Sequence, residues 1–445
     1  MLEDHQDTIS LTYNARGSSG YCDFDKVKGL EGIYIANIFD KNHLLTDSDE
    51  KVTKKEAKKF QKTVITFDKG GEWKNIEPPE RDSAGKRIIC EDDCSLHLHS
   101  ITSSFSPIYS NENAIGIILA TGNIGRYLSY KEDELNTYLS RDGGLSWTEL
   151  KKGEFIYDMG DHGAIILMAD SQKATDTLYF SWNEGLTWEK ILIDFPLEVE
   201  NILIEPTSTS QKFLVYGEKD GKGITVAVDF STYHEPMCRK PDKAGSSDSD
   251  YEIWRPQNLM SSGCLMGHKV EYVRRKQDAE CFNGEEFERP KFIENCECTD
   301  EDFECDLGYY REESGVCTVI EGYVFSESEC NENDFMYTVT GYRRVAGDTC
   351  QDGVSSQYEP MQIPCQDNSG MYFYMILAIG FAAGSLWALD KYGIQAKDLF
   401  SYFSKDTFDR SGFFSDLTKA PEGMEEEELG ETKLDANEEE FDPRN

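Results

Sequence analysis

The side chains with most chemistry in this sequence are its sulfurs. Ten of thirteen cysteines, Cys238, Cys264, Cys281, Cys296, Cys298, Cys305, Cys317, Cys330, Cys350 and Cys365, lie in one stretch. That density reads as a disulfide framework. Disulfides persist only where glutathione and thioredoxin do not keep thiols reduced, so this stretch is expected in a secretory lumen or outside the cell. A second group, Cys90-x-x-x-Cys94 followed by His97 and His99, has the residue types of a mixed zinc site. No second Cys or His cluster of zinc spacing stands near it, and an oxidising compartment favours a small Cys90–Cys94 loop. The reading therefore calls for no metal, and nothing in the sequence asks for a cofactor.

Acidic side chains recur in a third pattern. Residues 66–73, 140–147 and 181–188 follow S/T-x-D-x-G-x-S/T-W, the Asp box, with Glu72 at the Ser/Thr place of the first copy and Asn183 for Asp in the third. Asp68, Asp142 and Asn183 are suited to cap their own turns by accepting backbone N–H bonds. Gly70, Gly144 and Gly185 supply positive φ, and Trp73, Trp147 and Trp188 anchor the hairpins. These aspartates are expected to be structural, without acid/base work.

Such turns must be carried by strands, and residues 1–235 read as short ones. Residues 113–121, 163–169, 177–182, 212–216 and 223–230 are apolar or alternating runs, the last with Ile224, Val226, Val228 and Phe230 on one face. The basic stretch 54–59 reads as a solvated loop or short helix. Asp142 and Asn183 are 41 residues apart, close to the propeller blade period of about 40–45 residues. The interval from Asp68 to Asp142 then spans nearly two blades, and residues 1–235 about five. The fold class expected is mostly β, a partial β-propeller.

A formal charge of −39, from 45 Lys+Arg against 84 Asp+Glu, excludes a protein that grips nucleic-acid phosphates. Residues 371–389 carry no charge and are long enough for a transmembrane helix, with Gly380 and Gly384 forming a GxxxG pair. No Lys or Arg occurs between Gln351 and Gly370, whereas Lys391, Lys397 and Lys405 follow the helix, so the C-terminus is expected in the cytoplasm. The opening residues have neither a basic n-region nor an apolar h-region. The chain accordingly reads as the distal part of a longer precursor, one whose start is lost, or a degenerate copy. Residues 390–445 form an acidic, disordered tail.

The cysteine stretch, with 263–276 (GCLMGHKVEYVRRK), 281–284 (CFNG), 302–311 (DFECDLGYYR) and 341–354 (GYRRVAGDTCQDGV), resembles the ten-cysteine module of the sortilin family of vacuolar sorting receptors. The Asp boxes, CSLHLHS (94–100) and GLEGIYIAN (29–37) resemble the distal propeller of that family. The resemblance implies domains at 1–235 (partial propeller), 236–368 (ten-cysteine module), 371–389 (membrane helix) and 390–445 (tail). It implies the pairs Cys238–Cys281, Cys264–Cys296, Cys298–Cys350, Cys305–Cys317 and Cys330–Cys365, and leaves Cys22 without a mate. It also implies a single-pass type I membrane protein of the Golgi and endosome, binding lumenal cargo such as vacuolar hydrolases. Its tail would be read by a cytoplasmic retrieval coat or adaptor, with Phe413, Phe414 and Leu417 the candidate signal. Two alternatives stand beside it. One is a degenerate copy without cargo binding. The other is an Asp-box glycoside hydrolase, for which the five arginines before Cys238 show no site pattern.

Overall fold

A computed structural model describes residues 10–17, 20–44, 54–90, 93–102, 107–233, 236–256, 263–284, 289–312, 314–323, 335–337, 340–359 and 362–364. The chain divides into two compact units, Met1–Cys365 and Gln366–Asn445, and every described residue belongs to the first. Cys330, Cys365, residues 371–389 and the tail with Phe413, Phe414 and Leu417 lie outside the described residues. Among the described residues no helix is long and apolar enough to cross a membrane.

Antiparallel strands dominate. The first sheet is β1 (Phe24–Lys26), β2 (Tyr34–Phe39), β3 (Gln61–Thr66) and β4 (Lys74–Asn75), paired in chain order. The second holds β5 (Ser95–Leu98), β6 (Tyr109–Ser110), β7 (Ile118–Gly125), β8 (Asn136–Ser140) and β9 (Thr148–Lys152), ordered β5-β7-β8-β9 with β6 also on β7. The third comprises β10 (Phe155–Gly160), β11 (Ile165–Asp170), β12 (Thr175–Ser181) and the front of β13 (Glu189–Leu203). The rear of β13 pairs with β14 (Lys212–Lys219), which pairs with β15 (Lys222–Asp229), making a fourth sheet of three strands. The basic stretch 54–59 opens as a one-turn helix, Lys54–Ala57, running into a 3-10 turn, Lys58–Phe60.

One expectation is corrected. Between Asp68 and Asp142 lie β4 of the first sheet and the strands β5 to β8 of one further sheet, where the period of the repeat gave nearly two blades; the described residues before the cysteine stretch form sheets of four, five and six strands, the last making four when the two pairings of β13 are counted apart. The extra length goes into two long connections, one folded back through an Arg81–Arg87 bridge and the other between β5 and β6.

The sheets stack face to face in chain order because their strands are apolar on both sides. In β7, Ile118 and Ala120 join a core with Ile35, Ile65 and Leu98, while Leu119 joins another with Met159, Ile166 and Met168. In β11 the alternate residues Ile165, Leu167 and Ala169 meet Phe213, Val215 and Val228 of the fourth sheet. Two-sided burial explains why β7 and β11 read as unbroken apolar runs instead of alternating ones.

The cysteine stretch has little apolar material of its own. Its main sheet is β16 (Tyr251–Trp254), β17 (His268–Arg275) and β18 (Pro290–Asn295). Beyond it lie three two-stranded ladders. The first pairs β19 (Phe303–Cys305) with β23 (Tyr342–Arg344), the second β20 (Tyr309–Arg311) with β21 (Cys317–Val319), and the third β22 (Phe335–Tyr337) with β24 (Gln362–Pro364). Two small cores are built around the sulfurs: Cys238, Cys281 and Tyr251 in one, Cys298, Cys350 and Phe303 in the other. So small a core needs covalent help to hold a fold.

Strand β5 approaches β7 closely at Gly122, where an added Cβ would lie 1.9 Å from the His97 carbonyl oxygen. Overpacking of this kind costs about 1–3 kcal/mol. Gly122→Ala is expected to destabilise the chain by about 2 kcal/mol, read as a lower urea midpoint with unchanged slope. An unchanged midpoint would show that the approach is looser than described.

Candidate functional site: the seam between the repeat turns and the cysteine module

Each Asp box forms the hairpin between the third and fourth strands of its sheet: β3–β4, β8–β9 and β12–β13. In all three the opening hydroxyl donates to the capping side chain: Thr66 to Asp68 at 2.6 Å, Ser140 to Asp142 at 2.8 Å, Ser181 to Asn183 at 2.9 Å. The same hydroxyl accepts the N–H of Gly70, Gly144 or Gly185. The capping oxygen accepts the N–H four residues on, from Glu72, Ser146 or Thr187. Asn183 serves in place of Asp because its amide nitrogen turns to Thr187 Oγ1, 2.8 Å away. The fourth residue also closes each sheet on itself. Lys69, Gly143 and Glu184 have positive φ and donate their N–H to the carbonyls of Gly32, Gly116 and Ala164, each just before the second strand.

Trp147 and Trp188 donate their indole N–H to Gly144 and Gly185 carbonyls at 3.0 and 3.1 Å. Trp73 departs from this: its ring packs against Phe24 and its N–H reaches Ser10 Oγ. All three capping side chains are committed to their own turns, an arrangement that positions backbone and leaves them no role in proton transfer.

All three turns bond to the cysteine module, the second and third through their outer backbone carbonyls and the first through a side chain. Lys69 of the first box donates to the Ala346 carbonyl at 2.7 Å. Arg274 at the end of β17 donates to the Arg141 carbonyl of the second at 3.0 Å. Arg275 and Gln277 donate to the Trp182 and Asn183 carbonyls of the third at 2.7 and 3.1 Å. The second and third boxes are tied to each other by the Arg141–Glu184 ion pair. Leu265, Met266, Tyr272 and Val345 from the module complete the same apolar core as Ile33, Ile35, Ile118 and Trp147 from the sheets. The seam is thus a shared core with a row of side-chain-to-carbonyl bonds along it, from Lys69, Arg274, Arg275 and Gln277.

Disulfides set the position of β17. Cys264 just before it is bonded to Cys296 just after β18, and Cys281 beyond its end is bonded to Cys238. Cys298 is joined to Cys350 and Cys305 to Cys317, while Cys22 has no disulfide among the described residues. Arg275, 2% exposed, donates its other terminal N–H to the Cys281 carbonyl at 2.8 Å. Asp161, 1% exposed, sits at positive φ and accepts the Asn283 N–H from the module at 2.8 Å. Burial pushes its carboxyl up to about 7, while Arg275 and Arg289 pull it down.

Cys90 and Cys94 are bonded to each other. His97 accepts the Thr63 N–H and lies 3.1 Å from the Gly125 carbonyl, and burial pushes its imidazole down to about 4. His99 is turned to the Ser129 carbonyl. With both thiols in a disulfide, these four residues do not make a zinc ligand set. The residues that sequence reasoning missed are Arg274, Arg275, Gln277 and Asp161. The run Arg274-Arg275-Lys276 in so acidic a chain was the available signal.

Removing one partner of a buried charge network costs about 3–5 kcal/mol. Arg275→Met is expected to lower stability by that order, read by urea unfolding; a change within about 0.5 kcal/mol, ordinary for surface sites, would contradict the seam. For Asp161 the folded state holds its proton to higher pH than the unfolded chain, so its contribution to stability falls as pH rises from about 4 to about 7. Asp161→Asn should therefore gain on the wild type across that window and keep a constant gap above it. A gap independent of pH would mean that the carboxyl titrates normally.

Comparison with known proteins agrees with this architecture. The family described as Sortilin, neurotensin receptor 3, matches residues 7–202, and its C-terminal counterpart matches residues 204–365. Vacuolar protein sorting/targeting protein 10 of Coccidioides posadasii (strain C735) is 34% identical over 86% of this chain and 28% of its own length. The protein of that name from Ajellomyces capsulatus (strain H143) is 36% identical over 82% of this chain and 27% of its own. The chain thus spans little more than a quarter of these relatives. A solved prolyl endopeptidase shares 10% identity over 64% of this chain and 37% of its own, at a TM-score of 0.28 that carries no argument. With repeat turns, disulfide-held module and both halves of the family pattern in order, the chain belongs to the sortilin family.

Proposed function

We propose that the chain is the distal lumenal part, membrane anchor and tail of a type I sorting receptor that carries proteins from the late Golgi to the endosome or vacuole. In this reading the four stacked sheets are consecutive blades of a β-propeller and residues 236–368 are its ten-cysteine stalk, with Cys330 and Cys365 forming the fifth pair of the module. Residues 371–389 cross the bilayer, and Phe413, Phe414 and Leu417 are read by a cytoplasmic retrieval coat or adaptor. Lumenal proteins such as vacuolar hydrolases are the cargo. No chemistry is performed on them, and no nucleic acid or cofactor takes part.

The observation that carries this reading is the seam. Two of the repeat turns rest on one strand held by Cys264–Cys296 and Cys238–Cys281 and the first bonds the module at Ala346, so the sheets and the module make one body that depends on an oxidising compartment. The Asp boxes support binding over catalysis, since their acidic groups are spent on their own turns. The mostly apolar stretch 371–389 followed by lysines supports the orientation.

Protease added to sealed membranes carrying the full chain, made with a supplied leader, is expected to remove a tail epitope and spare the residues up to Cys365. Lumenal proteins should co-purify with the chain from detergent extracts. A protected tail with a digested module would reverse the topology, and an intact, correctly oriented chain that captures no lumenal protein would remove the receptor reading.

A further inference from the structure

An endoprotease takes its substrate as an extended strand, so a folded chain is cut where an exposed turn can open and offer the side chains beside the bond. Of the basic pairs in this sequence, three end in arginine: Lys86-Arg87, Arg274-Arg275 and Arg343-Arg344. Two of them are shielded. Arg275 is buried in the seam, where Arg274 donates to the Arg141 carbonyl. Arg343 and Arg344 are half-buried in β23 and ion-paired with Glu304 and Glu359.

The third pair is open. Residues 83–87 are all exposed in the hairpin closed by the Arg81–Arg87 bridge, and Ile89 just beyond is 86% exposed. The turn is held by polar contacts. Asp82 Oδ1 accepts the N–H groups of Ala84 and Lys86, the Asp82 N–H donates to the Lys86 carbonyl, and Arg81 donates to the Gly85 carbonyl. Its near side is fixed on β9, where Ser83 gives its N–H and hydroxyl to the buried Glu149 carboxylate. Past Arg87 the tie is the Ile88 N–H on the Glu80 carbonyl, and Ile89 and Cys90 belong to no strand. Opening residues 86–90 therefore breaks exposed hydrogen bonds, which water replaces, and moves one half-buried side chain, Ile88.

We infer that the chain is cut between Arg87 and Ile88 by a serine endoprotease whose acidic pockets take Arg87 and Lys86. The reaction is a hydrolysis. The Arg87–Ile88 peptide bond breaks by way of an acyl-enzyme, water supplies the oxygen that ends the first piece in a carboxylate, and the Ile88 nitrogen takes a proton as a new amino terminus. The pieces stay together afterwards. Ile35 and Ile65 from the first share a core with Leu98 and Ile118 from the second, and the Leu96 N–H donates to the Ile76 carbonyl between them. The five disulfides among the described residues all lie beyond Ile88, so none joins the pieces. The inference rests on the receptor reading above, which places the hairpin in the secretory lumen, and adds a processing step to it.

The test has two arms. In the first, the full chain, produced through an oxidising secretory compartment and kept in detergent, is treated with a subtilisin-fold serine endoprotease that cuts after paired basic residues. The earliest new amino terminus is expected at Ile88, with pieces that co-elute in gel filtration and separate on a non-reducing denaturing gel. Arg87→Gln, a change at an exposed side chain, should unfold at the same temperature and be cut about tenfold more slowly or worse, since the pocket's acid is left unpaired. A wild type that resists the protease, an earlier cut elsewhere, or equal cutting of the variant would overturn the proposal. In the second arm, the chain is expressed with a supplied leader and a tail epitope in cells whose secretory pathway holds such a protease. The epitope-bearing product is expected to begin at Ile88 in the wild type and to stay uncut in Arg87→Gln. An uncut wild type with an oxidised module would overturn the proposal and leave the receptor reading intact, whereas a module recovered reduced would remove both.

Discussion

The structure turns on a backbone problem. A tight hairpin that caps itself with its own side chains still leaves carbonyls on its outer rim, and a buried carbonyl without a donor costs free energy. Three such rims occur here, and the donors for two of them come from consecutive residues of one strand, Arg274 and Arg275, with Gln277 close behind. Guanidinium groups suit the task because their several N–H donors lie in a fixed fork. Arg275 spans the seam with that fork, one arm on the Trp182 carbonyl and the other on Cys281 within its own module.

That arrangement gives the disulfides a role beyond local stability. Closing loops of 43, 32 and 52 residues removes unfolded-state entropy worth about 4 kcal/mol each on the chain-entropy relation. Two of these closures flank β17 directly. Among the described residues the module's own cores are two small sulfur-centred ones, so these closures are what hold its arginine pair in register with turns that belong to another part of the chain.

Much of this was legible in the sequence, for reasons that can be traced. Runs such as 163–169 announced β11 because both its faces are buried, and the Asp-box spacing announced hairpins because the capping bonds are local. The strand β13 was not legible. It carries Pro196, which breaks a strand pattern, yet it sits where pairing shifts from β12 to β14 and a ladder bond is not needed. Counting blades by period failed between Asp68 and Asp142, since long connections add residues without adding strands. The seam was hidden for a different reason: an Arg-Arg pair ending a strand has the look of a solvated face, and only the fold brings it to the carbonyls of residues more than 90 positions away.

The central claim is that the repeat turns and the disulfide-held strand stand or fall together. Hydrogen exchange read by mass spectrometry tests it directly, on the folded chain before and after complete reduction with a phosphine. The account predicts that reduction strips protection from the amides of 140–147 and 181–188 together with those of β17, although neither box contains a cysteine. Box amides that keep full protection while β17 exchanges freely would contradict it.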